Sequence, residues 1–95
     1  MVFKLLVREE AQREIIDAGF WYENKQKGLG RRFVSEVEDQ FEFVLKFPEV
    51  YALKKDNFRE APLKEFPYSI IYTLENRKIT VFAVFNTYQN PTKKP

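Results

Sequence analysis

The residues of this sequence that could contact an anion lie in its second half: Lys54, Lys55, Arg59, Lys64 and Tyr88. Arginine holds a phosphate through paired hydrogen bonds and lysine holds it as a point charge, and an exposed tyrosine can stack on a base or supply a hydroxyl. All five are candidates for binding an anionic target. Lys54, Lys55, Arg59 and Tyr88 are also the candidates for any catalysis. The alternative is structural: Arg59 pairs with a helix carboxylate, and the lysines keep an edge strand soluble.

Two residue types that support much of enzyme chemistry are missing. The 95 residues include no cysteine and no histidine, so a disulfide framework, a thiolate or imidazole metal site and a Ser-His-Asp triad are excluded within this chain. Any catalysis would have to use lysine, arginine, tyrosine or carboxylate groups. We therefore expect no metal and no cofactor.

Length and composition indicate one folded domain. A hydrophobic fraction of 44% and an aromatic fraction of 17% are typical of a packed core rather than of disorder. No apolar run approaches the roughly 18–20 residues that cross a bilayer, and the start of the chain lacks the features of a signal peptide. The sequence therefore predicts a soluble protein of the cytoplasm.

Charge is distributed unevenly along the chain. Residues 1–50 carry eight basic and ten acidic side chains, whereas residues 51–95 carry eight basic and four acidic ones. The basic half could face a polyanion or an acidic protein partner. A mixed, solvated surface is the alternative.

Helical periodicity is clear in the first half of the chain. Apolar residues at helical spacing predict a helix over residues 8–26, with Ile16 widening its apolar stripe, and a second helix over residues 29–47. Gly28 is placed to adopt a left-handed conformation between them, and the short link predicts an antiparallel helical hairpin. Gly19 is unusual in a helix interior, and a close approach by another segment is one reason for it.

Strand patterns surround this hairpin. Apolar and β-branched runs predict strands at residues 2–7, 51–53, 57–63, 66–74 and 79–85, with a turn at 75–78 joining the last two. Pro62 restricts its strand to an edge or a bulge, and Tyr72 on a central strand is expected in the core. The last strand is apolar on both faces, so it is buried on both or exposes one to a partner.

The fold class that these elements predict is α+β, with an N-terminal strand and an antiparallel αα-hairpin packed on a small, mainly antiparallel sheet. We expect a single domain over residues 1–91 and a polar tail over residues 92–95. No internal repeat or linker interrupts the domain.

A set of short motifs runs through residues 3–91 in a fixed order: Trp21-Tyr22-Glu23, Gly28-Leu29-Gly30 with Phe33, Pro48 with Tyr51, Arg59, Phe66-Pro67-Tyr68 with Tyr72, Ile79, Val81, Ala83-Val84 and Pro91. In this order and spacing they resemble the RelE/ParE superfamily of type II toxin–antitoxin toxins, and the ParE-like toxins in particular. The resemblance implies a cognate antitoxin, whose C-terminal segment wraps the toxin and neutralises it. It also implies one of two targets, because ParE-type toxins poison DNA gyrase and RelE-type toxins cut mRNA in the ribosomal A site.

The end of the last predicted strand departs from the pattern of the nuclease members. Related sequences commonly carry a histidine there and an arginine three residues later, where this chain has Asn86 and Gln89. Neither amide acts as an acid, a base or a cationic clamp near pH 7, and RNA cleavage by the 2′-hydroxyl needs both proton transfer and charge stabilisation. Asn86 could instead bind a ligand or cap the strand.

We therefore expect a growth-inhibiting toxin that acts by binding a cellular target such as DNA gyrase, with nuclease activity weak or absent. Two alternatives remain open. One is a ribosome-dependent mRNA endoribonuclease of the RelE type, and the other is a decayed toxin that retains only antitoxin binding.

Three aromatic residues are candidates for antitoxin contact: Trp21, Phe43 and Phe82. Trp21 and Tyr22 point in different directions from one helix, and Tyr22 fits the core stripe better, so Trp21 lies against the second helix or on a partner. Phe43 lies off the main stripe of its helix, where it suits an antitoxin segment or packs against the loop of Tyr51. Phe82 belongs to the strand that is apolar on both faces.

Overall fold

The computed structural model describes residues 2–88, which form two helices and one four-stranded sheet. In chain order the elements are β1 (Lys4–Val7), α1 (Glu9–Lys25), α2 (Leu29–Lys46), β2 (Phe58–Pro62), β3 (Tyr68–Glu75) and β4 (Lys78–Asn86). The strand order is β1-β4-β3-β2, with β1 parallel to β4 and the other neighbours antiparallel. This confirms the α+β architecture, and it places the strand with Pro62 at an edge. Gln89 and the predicted tail at residues 92–95 lie outside the described residues.

The link between α1 and α2 is held by one carboxylate. Gly28 has a φ angle of 88°, the left-handed conformation that the sequence predicts. The N–H groups of Gly28 and Gly30 donate to the Glu23 carboxylate at 2.9 and 3.0 Å, which satisfies two donors at the start of α2. These bonds, with that of Gly28 the largest cause, lower the pKa of Glu23.

The two helices approach each other closely at a pair of glycines. A Cβ atom on Gly30 would lie 2.3 Å from the carbonyl oxygen of Gly19. The close approach expected at Gly19 is therefore made by α2. It is Gly30, however, that has no room for a side chain.

Both helices cover the same face of the sheet. From α2, Phe33, Val37 and Val44 are buried, and the remaining apolar residues of its predicted stripe pack around them: Val34, Phe41 and Leu45. From α1 the buried residues are small: Ala11, Ala18 and Gly19. The prediction that Ile16 widens this stripe is wrong, because Ile16 lies roughly 200° around the helix from Ala18 and is 55% exposed. Neither helix of residues 2–88 is long and apolar enough to cross a membrane.

The β3–β4 hairpin is the longest strand pairing, and it confirms the prediction. Its two-residue loop, Asn76 and Arg77, has φ angles of 52° and 64°, as a type I′ turn requires. The register shifts between Ile71 and Tyr72, and this irregularity places Phe82 opposite no single partner. β4 therefore has buried residues on both faces: Ile79, Val81 and Val84 under the helices, and Ala83 and Phe85 on the other side with Ile71 and Phe58.

The strand predicted at residues 51–53 is wrong. The segment between α2 and β2 forms only one isolated bridge, between Leu53 and Arg59. The chain reverses direction between these two residues, where Asp56 has a φ angle of 56°. The Tyr51 carbonyl is held by a side chain, Arg59, instead of a strand partner.

Candidate functional site

The lysines predicted to bind an anion lie at two ends of β2. Lys54 and Lys55 belong to the turn before this strand, where the Lys54 N–H donates to the Phe58 carbonyl, and both are exposed. Lys64 follows the other end of β2 and is exposed as well. The five residues of β2 span roughly 16 Å between these positions. The three lysines therefore do not form one basic cluster, because the strand separates Lys54 and Lys55 from Lys64, and their role toward an anion stays a prediction.

Arg59 lies within β2, and its guanidinium is turned into the protein. Its Nη1 donates a hydrogen bond to the Tyr51 carbonyl, and its buried Nε has no hydrogen-bond acceptor within residues 2–88. The alternative of a helix carboxylate as its partner is wrong, since this partner is a loop carbonyl. Arg59 thus stabilises the segment that joins α2 to β2, and its role toward an anion stays a prediction.

Tyr72 lies in the core, as its central strand predicts. The side chain is completely buried, and its hydroxyl donates to the Pro48 carbonyl at 2.9 Å. Burial raises the pKa of Tyr72 to about 12, and the nearby Arg59 cation partly opposes this. Tyr72 therefore ties β3 to the end of α2 and is inaccessible to a stacking base.

Replacing Tyr72 by Phe is expected to lower the free energy of unfolding by about 1–2 kcal/mol, because the Pro48 carbonyl loses its buried donor. The wild type should also lose stability as the pH rises from about 10 to about 12. In that window the unfolded chain releases the phenol proton that the folded protein keeps. Urea unfolding at pH 8 and pH 11 measures both effects. The account is contradicted if Y72F has the urea midpoint of the wild type at pH 8. It is also contradicted if Y72F loses as much stability as the wild type between pH 8 and pH 11.

The end of β4 carries a capping contact. The Asn86 side-chain oxygen accepts a hydrogen bond from the Tyr88 N–H at 2.9 Å, which supports the capping interpretation of Asn86. Tyr88 is 83% exposed and lines, together with Lys64, a shallow crevice of about 320 Å³. Both residues are among the five predicted to bind an anion. Within residues 2–88, no group of three or more carboxylates could hold a metal ion.

Helix α1 presents large apolar side chains to the outside. Phe20 is 68% exposed, and Ile16 and Trp21 are each 55% exposed. The Trp21 ring stands edge-on to the Tyr22 ring at 5.0 Å, and the Lys25 ammonium lies 4.9 Å from the indole centroid. Tyr22 itself packs among the core aromatics Phe33, Phe66 and Tyr68. Trp21 therefore contacts Tyr22 and Lys25 while most of its surface remains accessible.

A groove runs along the outer side of the helical hairpin. It encloses about 620 Å³ between α1 and α2, and Ile16, Phe20 and Val34 form its apolar lining. Its floor is shallow because the glycine pair, Gly19 and Gly30, brings the two helices together. The groove lies on one side of α1, and the exposed part of Trp21 lies on the other side.

The three aromatics predicted to contact an antitoxin do not form one patch. Trp21 lies on α1, whereas Phe43 lies near the end of α2, where its ring contacts Phe47 and Tyr51. Phe82 lies on the face of the sheet away from the helices, between the Phe58 ring at 5.1 Å and the Arg8 guanidinium at 4.9 Å. A partner that touched all three would have to wrap around the molecule.

Residues 5–91 match a protein family model that is described as the ParE toxin of the type II toxin–antitoxin system, parDE. The chain belongs to this ParE toxin family. A chain of the solved structure "Chromosomal ParDE TA system from P. aeruginosa" has the same fold, with a TM-score of 0.78 over 90% of this chain and 96% of that one, at 11% sequence identity. No curated protein sequence matches significantly.

For this ParE toxin, sequence reasoning missed two residues of the apolar surface. Phe20 and Ile16 are four positions apart, so they lie on one side of α1, and neither was predicted to be a contact residue. The signal was present, since this pair together with Trp21 makes α1 apolar over more of its circumference than one buried stripe requires.

Proposed function

We propose that this ParE toxin inhibits growth in the cytoplasm by binding DNA gyrase, and that a cognate antitoxin neutralises it by covering its exposed apolar surface. The observation that carries the proposal is the outer surface of α1. Three large apolar side chains of one helix, Ile16, Phe20 and Trp21, are each more than half exposed. Ile16 and Phe20 lie together on one side of α1, and exposed apolar side chains grouped in this way are typical of protein–protein contact sites. Tryptophan is prominent among the residues that dominate binding energy.

The state of Asn86 supports binding rather than cleavage. A residue that serves as the acid, the base or the cationic clamp of RNA cleavage exchanges a proton or carries a charge in the transition state. The Asn86 amide does neither near pH 7, and its oxygen accepts the Tyr88 N–H. Arg59 is likewise bonded to a loop carbonyl. A target held by surface complementarity requires neither group.

The decisive experiment measures two activities with one preparation. Purified toxin is expected to inhibit DNA supercoiling by gyrase and to stabilise cleaved DNA, and an equimolar amount of the antitoxin encoded beside it should abolish the effect. On translating ribosomes the same toxin should leave mRNA uncut by toeprinting. A-site cleavage without an effect on gyrase would overturn the proposal in favour of the endoribonuclease. Normal growth under strong induction of folded toxin would indicate a decayed toxin.

Paired lysine variants can show which end of β2 faces the target. The double variant K54Q/K55Q and the single variant K64Q neutralise exposed cations at opposite ends of the strand. Their antitoxin affinity serves as the control for folding. The variant that loses gyrase inhibition while retaining antitoxin binding identifies the end that contacts the target.

A further inference from the structure

The outer surface of the helical hairpin has an apolar centre with both a protrusion and a depression. Phe20 and Ile16 protrude from α1 and are each more than half exposed, and they stand beside the groove that Val34 lines from α2. A surface that carries both shapes can fit a second copy of itself, because the protruding side chains of each copy enter the groove of the other. Such self-complementarity is what a two-fold symmetric contact requires.

Charges of opposite sign flank this centre along α2. Arg31 lines the groove near the link between the helices, and Glu38 lines it seven positions further along the chain. Both side chains are exposed, and roughly 10 Å of helix separates the two positions. Their midpoint lies between Val34 and Ser35. Two α2 helices that lie antiparallel about this midpoint therefore place each Arg31 opposite Glu38 of the other copy.

Helix α1 carries the same arrangement with the signs reversed. Glu23 lines the groove near the link. The exposed Arg13 lies seven positions before Phe20, about two turns away, and hence on the same side of the helix. The midpoint of Arg13 and Glu23 is residue 18, which is also the midpoint of Ile16 and Phe20. An antiparallel pair of α1 helices centred there places each Arg13 opposite Glu23 of the other copy and each Phe20 opposite Ile16.

One two-fold axis serves both helices. A Cβ atom at Gly19 would lie 3.4 Å from a methyl group of Val34, so the midpoints of α1 and α2 lie at nearly the same level of the hairpin. An axis at this level, in the plane of the hairpin and perpendicular to both helices, places α1 on α1 and α2 on α2. Within residues 2–88, Arg13 and Glu38 form no ion pair, so both charges are available to a second copy.

We propose that two copies of this toxin associate through the outer surfaces of their helical hairpins, each helix antiparallel to its counterpart. The apolar centre would supply affinity, and the two kinds of charge pair, each formed twice, would fix the antiparallel register. The proposal is independent of the gyrase target. The dimer would cover Ile16 and Phe20, two residues that the proposed function assigns to the antitoxin, so a second toxin and the antitoxin would compete for α1.

Sedimentation equilibrium of the purified full-length toxin tests the association. The average mass is expected to rise from one chain to two, with a dissociation constant on the order of 10 µM. F20A should raise this constant about tenfold or more, whereas V50A, which truncates an exposed apolar side chain away from the hairpin surface, should change it less than about twofold. A toxin that stays monomeric at about 100 µM overturns the inference and leaves the proposed function intact. A dimer weakened by V50A and not by F20A overturns it as well.

Exchanging the charges on α2 tests the register. R31E and E38R each place like charges opposite each other across the axis, and each is expected to weaken the dimer about tenfold. The double variant R31E/E38R, and an equimolar mixture of the two single variants, restore opposite charges between copies and should associate within about threefold of the wild type. Both positions are exposed, so every variant should keep the wild-type unfolding temperature. Single variants that dimerise like the wild type, or a double variant and a mixture that stay as weak as the singles, overturn the proposal.

Discussion

Replacing Gly30 by Ala is expected to destabilise the protein by about 3 kcal/mol, near the upper end of the effect of inserting a methyl group where none fits. The new Cβ would lie 2.3 Å from the Gly19 carbonyl oxygen and 3.0 Å from the Glu23 Cβ. The first of these is a backbone atom that cannot rotate away. The helices would have to separate, which would strain the bond from the Gly30 N–H to Glu23. In a domain of this size, the midpoint temperature of thermal unfolding should fall by about 10–20 °C.

The matched control is Gly19→Ala, on the other helix of the same crossing. A Cβ atom at Gly19 would lie 3.4 Å from a methyl group of Val34, an ordinary contact. Alanine is also favoured over glycine in a helix interior by up to about 1 kcal/mol. G19A should therefore unfold at or above the wild-type temperature in a melt followed by circular dichroism. A similar loss of stability in both variants would show that the steric clash at Gly30 does not cause the destabilisation of G30A.

The second large effect is expected from Trp21→Ala, which should weaken antitoxin binding about 30-fold or more. The indole is 55% exposed and already contacts Tyr22 and Lys25, so a partner that covers it buries a large aromatic surface. Isothermal titration with the antitoxin measures the change. In cells, if W21A is still toxic, it should arrest growth even when the antitoxin is expressed at the level that protects against the wild-type toxin.

A control for this variant is Val50→Ala, which truncates another exposed apolar side chain in the segment between α2 and β2. Its affinity for the antitoxin should stay within about twofold of the wild type, since scattered apolar residues on a surface contribute little. The unfolding temperatures of both variants should match the wild type. Wild-type affinity in folded W21A would contradict the assignment of α1 as the neutralised surface.

Local patterns accounted for most of the secondary structure. The helical hairpin follows from a 3.6-residue apolar period interrupted by a left-handed glycine, Gly28. The β3–β4 hairpin follows from two apolar runs around a two-residue turn, and Pro62 correctly indicated an edge strand. The pattern failed at residues 51–53, where an arginine side chain, Arg59, takes the carbonyl that a strand partner would have used.

The same sequence patterns predicted the arrangement of the candidate site less well. Lys54, Lys55, Arg59 and Lys64 are close in sequence, which suggested one cluster, but β2 is extended and carries its two ends apart. Arg59 additionally turns inward beside Tyr72. The composition was decisive in another way, because the lack of histidine and cysteine excludes whole classes of chemistry in any conformation.

The sequence by itself determined the elements, their order and the family, because periodicity, turn residues and motif order are properties of neighbouring residues along the chain. Only the tertiary structure decided which side chains meet. That β1 covers half of β4, that Glu14 caps Val84 from 70 positions away and that Gly30 meets Gly19 all depend on contacts between distant segments. Such contacts depend on the packing of the whole domain. A change in the register of one strand, or in the crossing of two helices, would change the neighbours of every side chain on those elements.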